Sequence, residues 1–492
     1  MNNRKTIFVL SLFFLNSILF GQNEISNLAS EINKLKNDDA LKHASWSVCV
    51  RNVKTGAIIS EHNSAQSLVP ASVMKIVSTT PALSILGQDY KFKTKIEYDG
   101  FIDSLGILHG NLYVTGGGDP TLGSSRWKNT KINIVFEKWT KVLKDKGIKK
   151  ITGAIIVDAS IFDDALIPGT WTWEDMGNYY GAGASGLSIH ENYYKLIFKP
   201  STKIGGDAKV LRTEPKMQDI KFINHVKTAK AGTGDNVIIY GSPYSKLRFL
   251  EGTVPFGKKE FTVKGSITDP AYTCVYLFNK YLSKNGINTS KHPTSVRKLK
   301  IAGLYKNQKR KTLLIYKSPS LSTIIKQANL RSINSYAEAC VKILANKKFK
   351  KGTTEDGIRV IRNFWSQKGI DLDGMLMKDG SGLSRVNRIT TDQISKMLCV
   401  FTNDITYQYF YKSLSVAGSS GSLRNLFKGT YAENNLRAKS GYMKNIRAYA
   451  GYVTNKNNEQ LAFAIIVNNY NSSAFQMKKK LEKLMILIAE ME

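Results

Sequence analysis

From Lys91 to about Leu299 the chain reads as one strand-like run after another: "KTKIEYD", "GNLYVTG", "GAIIVDAS", "YKLIFKP", "NVIIYGS" and "EFTVKGS", with Gly, Asp and Pro turns between them. Alternation with a period of two marks half-buried strands. A stretch of about two hundred residues is far too long for a connecting loop, so it must build one or two mostly-β domains of its own. The flanks differ in kind. Before it, Ile25, Leu28, Ile32 and Leu35 recur at helical spacing, and "WSVCVRNVKTGAIISEHN" alternates about Lys54-Thr55-Gly56 as a β-hairpin. A helix beginning near Ser72 is predicted to run to Leu86, bend near Pro81 and stop at Gly87. After the β-rich stretch, helical periodicity returns at "AYTCVYLFNKYLSKNGI" and dominates Leu321–Lys347 and Glu355–Lys368. The chain then reads strand ("LRAKSGY"), strand ("AYAGYVTN"), turn, strand ("LAFAIIVNNY") and a helix from about Ser473 to Glu490. Together the flanks make one α/β (α+β) sandwich, into which the β-rich segment is inserted.

The 492 residues exceed what a single core usually holds, which also favours two or three domains. The one long apolar run comes first. In "MNNRKTIFVLSLFFLNSILFGQ", Arg4 and Lys5 precede the mostly apolar Ile7–Phe20, the pattern of a secretory leader over 1–21, too short for a membrane span. An exported protein, soluble once the leader is removed, is the expectation. The formal charge is +33, or +31 without Arg4 and Lys5. Such a charge favours anionic partners such as cell-wall polymer or an acidic envelope surface. Its dispersal, together with export, argues against nucleic acid. Cys49, Cys274, Cys340 and Cys399 form no Cys-x-x-Cys pair and sit among apolar neighbours, so they read as single buried thiols. The six scattered histidines offer no metal site, and no cofactor is expected.

"VPASVMKIVST" places Lys75 three residues after Ser72, on one face of a helix, where an amine can serve a hydroxyl as base. The spacing alone is weak, since Ser125 with Lys128 and Ser295 with Lys298 repeat it. Two later motifs single out Ser72. Ser332-Ile333-Asn334 opens a helical pattern, and Lys439-Ser440-Gly441 lies in a strand pattern. Ser283-Lys284-Asn285 and Lys54-Thr55-Gly56 imitate these two, but Lys54 precedes the nucleophile and sits in a hairpin turn. In order, Ser-x-x-Lys, Ser-x-Asn and Lys-Ser-Gly form the trio of penicillin-binding proteins and class A β-lactamases.

The longer strings "PASVMKIVSTTPALSILGQDYKFKT", "NLYVTGGGDPTL", "LRSINSYAEA", "KDGSGLSRVNRIT" and "AKSGYMKNIRAYAGYV" closely resemble the class C low-molecular-mass penicillin-binding proteins. Those are D-alanyl-D-alanine carboxypeptidases that also act as endopeptidases. The resemblance covers nearly everything after the leader and is weakest from about Lys199 to Glu260. It implies a penicillin-recognising serine transpeptidase/β-lactamase-like domain with two inserted mostly-β domains. The expected map is transpeptidase-like over 22–90 and 306–492, a first inserted domain over 91–198 and 263–305, and a second over 199–262.

The resemblance also implies roles. Ser72 attacks the carbonyl of a D-Ala-D-Ala bond, forming an acyl-enzyme that water releases. Lysine ordinarily titrates near about 10.4, so Lys75 needs burial and a second positive charge, Lys439, before it can take a proton near neutrality. Ser332 relays the proton to the leaving amine, Asn334 positions the substrate amide, and Lys439 holds the carboxylate end. Backbone N–H groups of Ser72 and Tyr442 form the oxyanion hole, each worth roughly 3 kcal/mol. Ser440 and Gly441 line the same strand, with Ser440 where the family usually has Thr. Tyr442 also replaces a usual Thr, whose hydroxyl helps bind the terminal carboxylate, and this leaves endopeptidase activity more open. Trp173 and Asp175 of "WTWEDMGNYY" and Arg385 of "GLSRVNR" are carried over as substrate-side residues; packing or fold-stabilising roles explain them equally well. The glycines Gly116–Gly118 of "TGGGDP" read as a tight turn, not a phosphate loop. The expected partners are peptidoglycan stem peptides, β-lactams as covalent inhibitors, and loosely an anionic envelope surface. Two other readings compete: a β-lactamase, and a non-catalytic cell-wall-binding or penicillin-sensing protein.

Overall fold

A computed structural model describes residues 27–218 and 220–492; the leader expected over 1–21 lies outside the described residues. The chain divides into two compact units. One holds the residues through Gln88, Ile325–Ser332 and Ile361–Glu492, and the other Asp89–Ile324 and Ile333–Val360. Among the described residues no helix is long and apolar enough to cross a membrane.

The first unit is built on a six-stranded antiparallel sheet. Its order is Ile58–His62, Ser45–Asn52, Gln460–Asn468, Ile446–Thr454, Arg437–Met443 and Ser415–Val416. The hairpin and the terminal meander are thus neighbours in one sheet. Period-two alternation sends Val48, Val50, Phe463, Ile465 and Val467 to one face. There they pack on Leu28, Ile32 and Leu35 of a helix over 27–36 and on Met477, Leu481, Leu484 and Ile488 of the helix Ala474–Ala489. Each such side chain contributes about 1.5–3 kcal/mol by leaving water. Ser473 and Gln476 cap the closing helix reciprocally. On the opposite face the residues are small. Ser47 Oγ meets Thr391 Oγ1 at 2.5 Å and Ser395 Oγ donates to Cys49 Sγ at 3.2 Å, so the helix Thr391–Phe401 lies close against the strand.

The helix Met74–Leu86 is buried along most of its length. Its polar residues fit because Thr79 and Thr80 return their hydroxyls to the carbonyls of Lys75 and Ile76. Pro81 lacks the N–H that would bond to the Val77 carbonyl. Trp365 supplies a substitute, donating its indole N–H to that oxygen at 3.0 Å. Gly87, at φ +84°, ends the helix as predicted.

The second unit carries a mixed five-stranded sheet, ordered Thr294–Ser295, Ile155–Asp158, Leu112–Thr115, Lys93–Tyr98 and Lys311–Lys317, and four smaller sheets among the described residues. The helices Ile132–Asp145 and Pro270–Lys284 meet through Trp139 and Phe278, edge to face at 5.1 Å. One apolar core runs from this sheet through to Val226, Val237, Leu250 and Val254.

Two boundaries differ from the expected map. Lys311–Lys317 falls after residue 305, yet it pairs antiparallel with Lys93–Tyr98, covering backbone groups that an edge strand would leave bare. Residues 333–360 also belong to the second unit and not, as expected, to the closing part. One tie within that unit is Lys342, buried in the helix Asn334–Phe349, whose ammonium donates to Asp163 Oδ1 at 2.7 Å and to the Ala165 carbonyl at 2.5 Å. A buried cation without such partners would be strongly destabilising.

Candidate active site

Ser72 lies in a single 3₁₀ turn, Ala71–Val73, that runs directly into the helix Met74–Leu86. Lys75, one turn on, is fully buried, and its Nζ donates to Ser72 Oγ at 3.1 Å and to the Ser381 carbonyl at 2.7 Å. The turn is tightly constrained. Ala71, with φ +46°, adopts a left-handed conformation that a non-glycine residue holds only at a cost of about 1–2 kcal/mol. A Cβ on Gly441 would come within 2.6 Å of the Pro70 carbonyl, and one on Gly382 within 1.8 Å of the Ala71 carbonyl. Only glycine lets the third-motif strand and the 379–387 loop approach so closely.

That strand, Arg437–Met443, carries Lys439 at 1% exposure. Its Nζ donates to Ser332 Oγ at 3.1 Å and to the Ser440 carbonyl at 2.7 Å. Burial, reinforced by the charge of Lys75, holds the Lys439 ammonium well below the ordinary lysine range. Ser332 is itself left-handed, at φ +55°, two residues before the start of the helix Asn334–Phe349. Ser440 Oγ donates to Ser422 Oγ at 2.7 Å. The short strand Ser415–Val416 pairs with Arg437 and Ala438, and among the described residues no strand pairs with the edge from Lys439 onward.

Ser72, Lys75, Ser332, Lys439, Ser440 and Gly441 therefore meet within the first unit. Asn334 belongs to the second, where its Nδ2 donates to the Tyr180 carbonyl at 2.8 Å. Trp173, also in the second unit, is exposed and lies 4.9 Å from the Tyr240 ring; Asp175 is buried, its Oδ2 accepting from Thr172 Oγ1. Arg385, in the first unit, is half-buried and lends its carbonyl to Arg388. The rival motifs have local explanations: Ser295 Oγ caps a helix by accepting from Lys298 N, and Ser283 Oγ bonds to Asn288 Oδ1.

Sequence reasoning missed Asp379. Its carboxylate is fully buried and accepts from the N–H groups of Gly382 and Ser384 and from Asn387 Nδ2. It thereby folds the loop that offers the Ser381 carbonyl to Lys75 and the Gly380 carbonyl to Ser78. The available signal was "DGSG", an Asp followed by small residues, as in loops folded around a side-chain acceptor.

A sequence model of the D-Ala-D-Ala carboxypeptidase 3 (S13) family matches residues 28–490. The chain is similar to the D-alanyl-D-alanine carboxypeptidase of Actinomadura sp. (strain R39), with 27% identity over 465 residues, covering 92% of this chain and 82% of that protein. It is 22% identical to the D-alanyl-D-alanine carboxypeptidase DacB of Haemophilus influenzae, covering 87% of this chain and 86% of the relative. The crystal structure of penicillin-binding protein 4 (dacB) from Haemophilus influenzae aligns with a TM-score of 0.78 at 21% identity, over 94% of this chain and 98% of that one. A complex of that protein with a β-lactam aligns at 0.73, with 20% identity and the same coverage. The fold is thus the penicillin-binding, β-lactamase-like α/β sandwich with several additional sheets.

Proposed function

The chain belongs to the D-Ala-D-Ala carboxypeptidase 3 (S13) family, and from that premise we propose that Ser72 is the nucleophile with which it cuts D-Ala-D-Ala and cross-link bonds of peptidoglycan. The observation that carries this reading is the pairing of two buried lysines with two hydroxyls, Lys75 with Ser72 and Lys439 with Ser332, each at 3.1 Å.

Ser72 Oγ attacks the carbonyl carbon of the penultimate D-Ala as its proton passes to Lys75 Nζ. For this Lys75 must be neutral when the proton arrives. The oxyanion is stabilised by the N–H groups of Ser72 and Tyr442. As the C–N bond breaks, the proton reaches the leaving amine through Ser332, next to Lys439. Water then cleaves the ester, and the proton returns to Ser72. Positioning of the substrate amide by Asn334, and a substrate-side role for Trp173, Asp175 and Arg385, rest on the resemblance. Penicillin, a strained mimic of the same amide, acylates Ser72 and is retained. Export to the periplasm or cell envelope places the enzyme beside its polymer, and the positive surface holds it loosely to anionic envelope.

The test is a comparison of Ser72→Ala with Ser125→Ala and Ser295→Ala on purified peptidoglycan and on labelled penicillin. Ser72→Ala is expected to lose both activities while remaining folded. Labelling that survives Ser72→Ala and disappears in either other variant overturns the assignment. Intact-mass analysis over time separates this function from a β-lactamase, because a peptidase keeps the adduct for many minutes and a β-lactamase turns the drug over.

A further inference from the structure

Position 442 raises the question of what binds the substrate's carboxylate where threonine is replaced by an exposed tyrosine. Lys439 is poorly placed for it, because its ammonium is buried and already donates to Ser332 and Ser440. Across the sheet, Tyr442 is the register partner of Arg447 on the next strand. Directly paired residues point to the same face, their Cα atoms about 4.5–5.5 Å apart. The Tyr442 ring lies over the Arg447 guanidinium, 4.4 Å from centroid to Cζ. That guanidinium has five N–H donors, of which Nη2 makes a long bond to the Ala474 carbonyl, at 3.3 Å, and the group also bonds toward the Tyr449 hydroxyl. Its Nε is buried and has no acceptor among the described residues. A buried donor left unpaired is costly, and a carboxylate is the group a planar guanidinium pairs with best. No carboxylate side chain forms an ion pair with Arg447 among the described residues.

We propose that Arg447, steadied by the Tyr442 ring, anchors the C-terminal carboxylate of the substrate, replacing the hydroxyl that Tyr442 displaced. This inference rests on the peptidase reading above. With the scissile carbonyl held by the Tyr442 N–H, the terminal carboxylate carbon lies only about 3.8 Å further along the substrate, one residue away. An arginine rooted opposite Tyr442, on the strand paired with it, can reach over Tyr442 toward that carboxylate. Free D-Ala-D-Ala ends are thereby selected over blocked ones.

The test is steady-state kinetics of the full chain on a peptide ending in D-Ala-D-Ala and on its C-terminal amide. Arg447→Gln is expected to raise KM for the acid about 10- to 100-fold, the loss of one charge-assisted bond, with kcat little changed and the amide unaffected. Arg447→Lys, which keeps the charge without the fork, is expected to recover part of the affinity. Tyr442→Phe, which keeps the ring over the guanidinium, is expected to retain the acid preference. If Arg447→Gln affects both peptides equally, or neither, the anchor is wrong even though Ser72 still labels with penicillin. If the wild type cleaves neither peptide and takes no penicillin label, the peptidase reading fails first and the anchor falls with it.

Discussion

Lys439 and Lys75 are two buried lysines of one site, and the charge of Lys75, added to burial, makes Lys439 easier to deprotonate. The two nevertheless differ in role. Lys75 must accept a proton, whereas Lys439 need only be positive or share a hydrogen bond with Ser332.

Substitution by arginine separates these roles. Lys75→Arg is expected to abolish acylation by penicillin, because a guanidinium does not give up its proton near neutrality. Lys439→Arg is expected to retain a measurable fraction. Stopped-flow acylation rates decide it, and a Lys75→Arg variant that acylates at the wild-type rate shows that Lys75 is not the base.

The depressed affinity of Lys439 for its proton also makes stability depend on pH. Below its folded pKa the full penalty of burying the ammonium weighs on the native state. As pH rises toward the unfolded value, about 10.4, both states become neutral and the penalty disappears. Lys439→Met is therefore expected to be inactive yet more stable than the wild type by about 1–4 kcal/mol near neutrality. The gain should shrink as pH approaches 10. Paired denaturant titrations at pH 7 and 9.5 measure this, and a gain independent of pH would contradict it.

Asp379→Asn places an amide N–H₂ against the donors of Gly382, Ser384 or Asn387. A loss of about 1–3 kcal/mol in stability is expected. Penicillin acylation should also slow, since the loop carries the carbonyl that holds Lys75. A variant that melts earlier but acylates at the normal rate would show that the loop supports only the fold.

Trp365→Phe fills most of the same volume but leaves the Val77 carbonyl without a donor opposite Pro81. It is expected to cost about 1–3 kcal/mol in denaturant unfolding. Restoring an N–H at residue 81 with Pro81→Ala should recover part of that loss in the double variant, and strict additivity of the two changes would refute the link.

How much of this was legible beforehand depended on the reach of each interaction. Ser72 and Lys75 are one helical turn apart, so their chemistry is written locally, and motif order supplied Ser332, Asn334 and Lys439. The bond from Trp365 to Val77 joins residues with nothing between them in sequence to suggest it, and tryptophan on an amphipathic helix reads as core. Asp379 resembled any loop aspartate until its burial was known. Arg447 stood in plain view within "YMKNIRAYAG", but its bearing depends on strand register, which fixes its partner and which the pattern alone leaves unset. Helical periodicity in 333–360 likewise gave an apolar face without saying which unit it packs against.

The four cysteines are free and buried, and burial pushes their thiols upward, to about 12 for Cys340 and about 11 for Cys399. In that state they resist alkylation, which needs an exposed thiolate. Cys49 and Cys399 belong to the first unit, Cys274 and Cys340 to the second. The protein therefore carries its own pair of chemical clocks in each half. Timed alkylation under mild denaturant, read by mass on the four cysteine peptides, will report whether the catalytic half or the inserted half opens first, without any engineered cysteine.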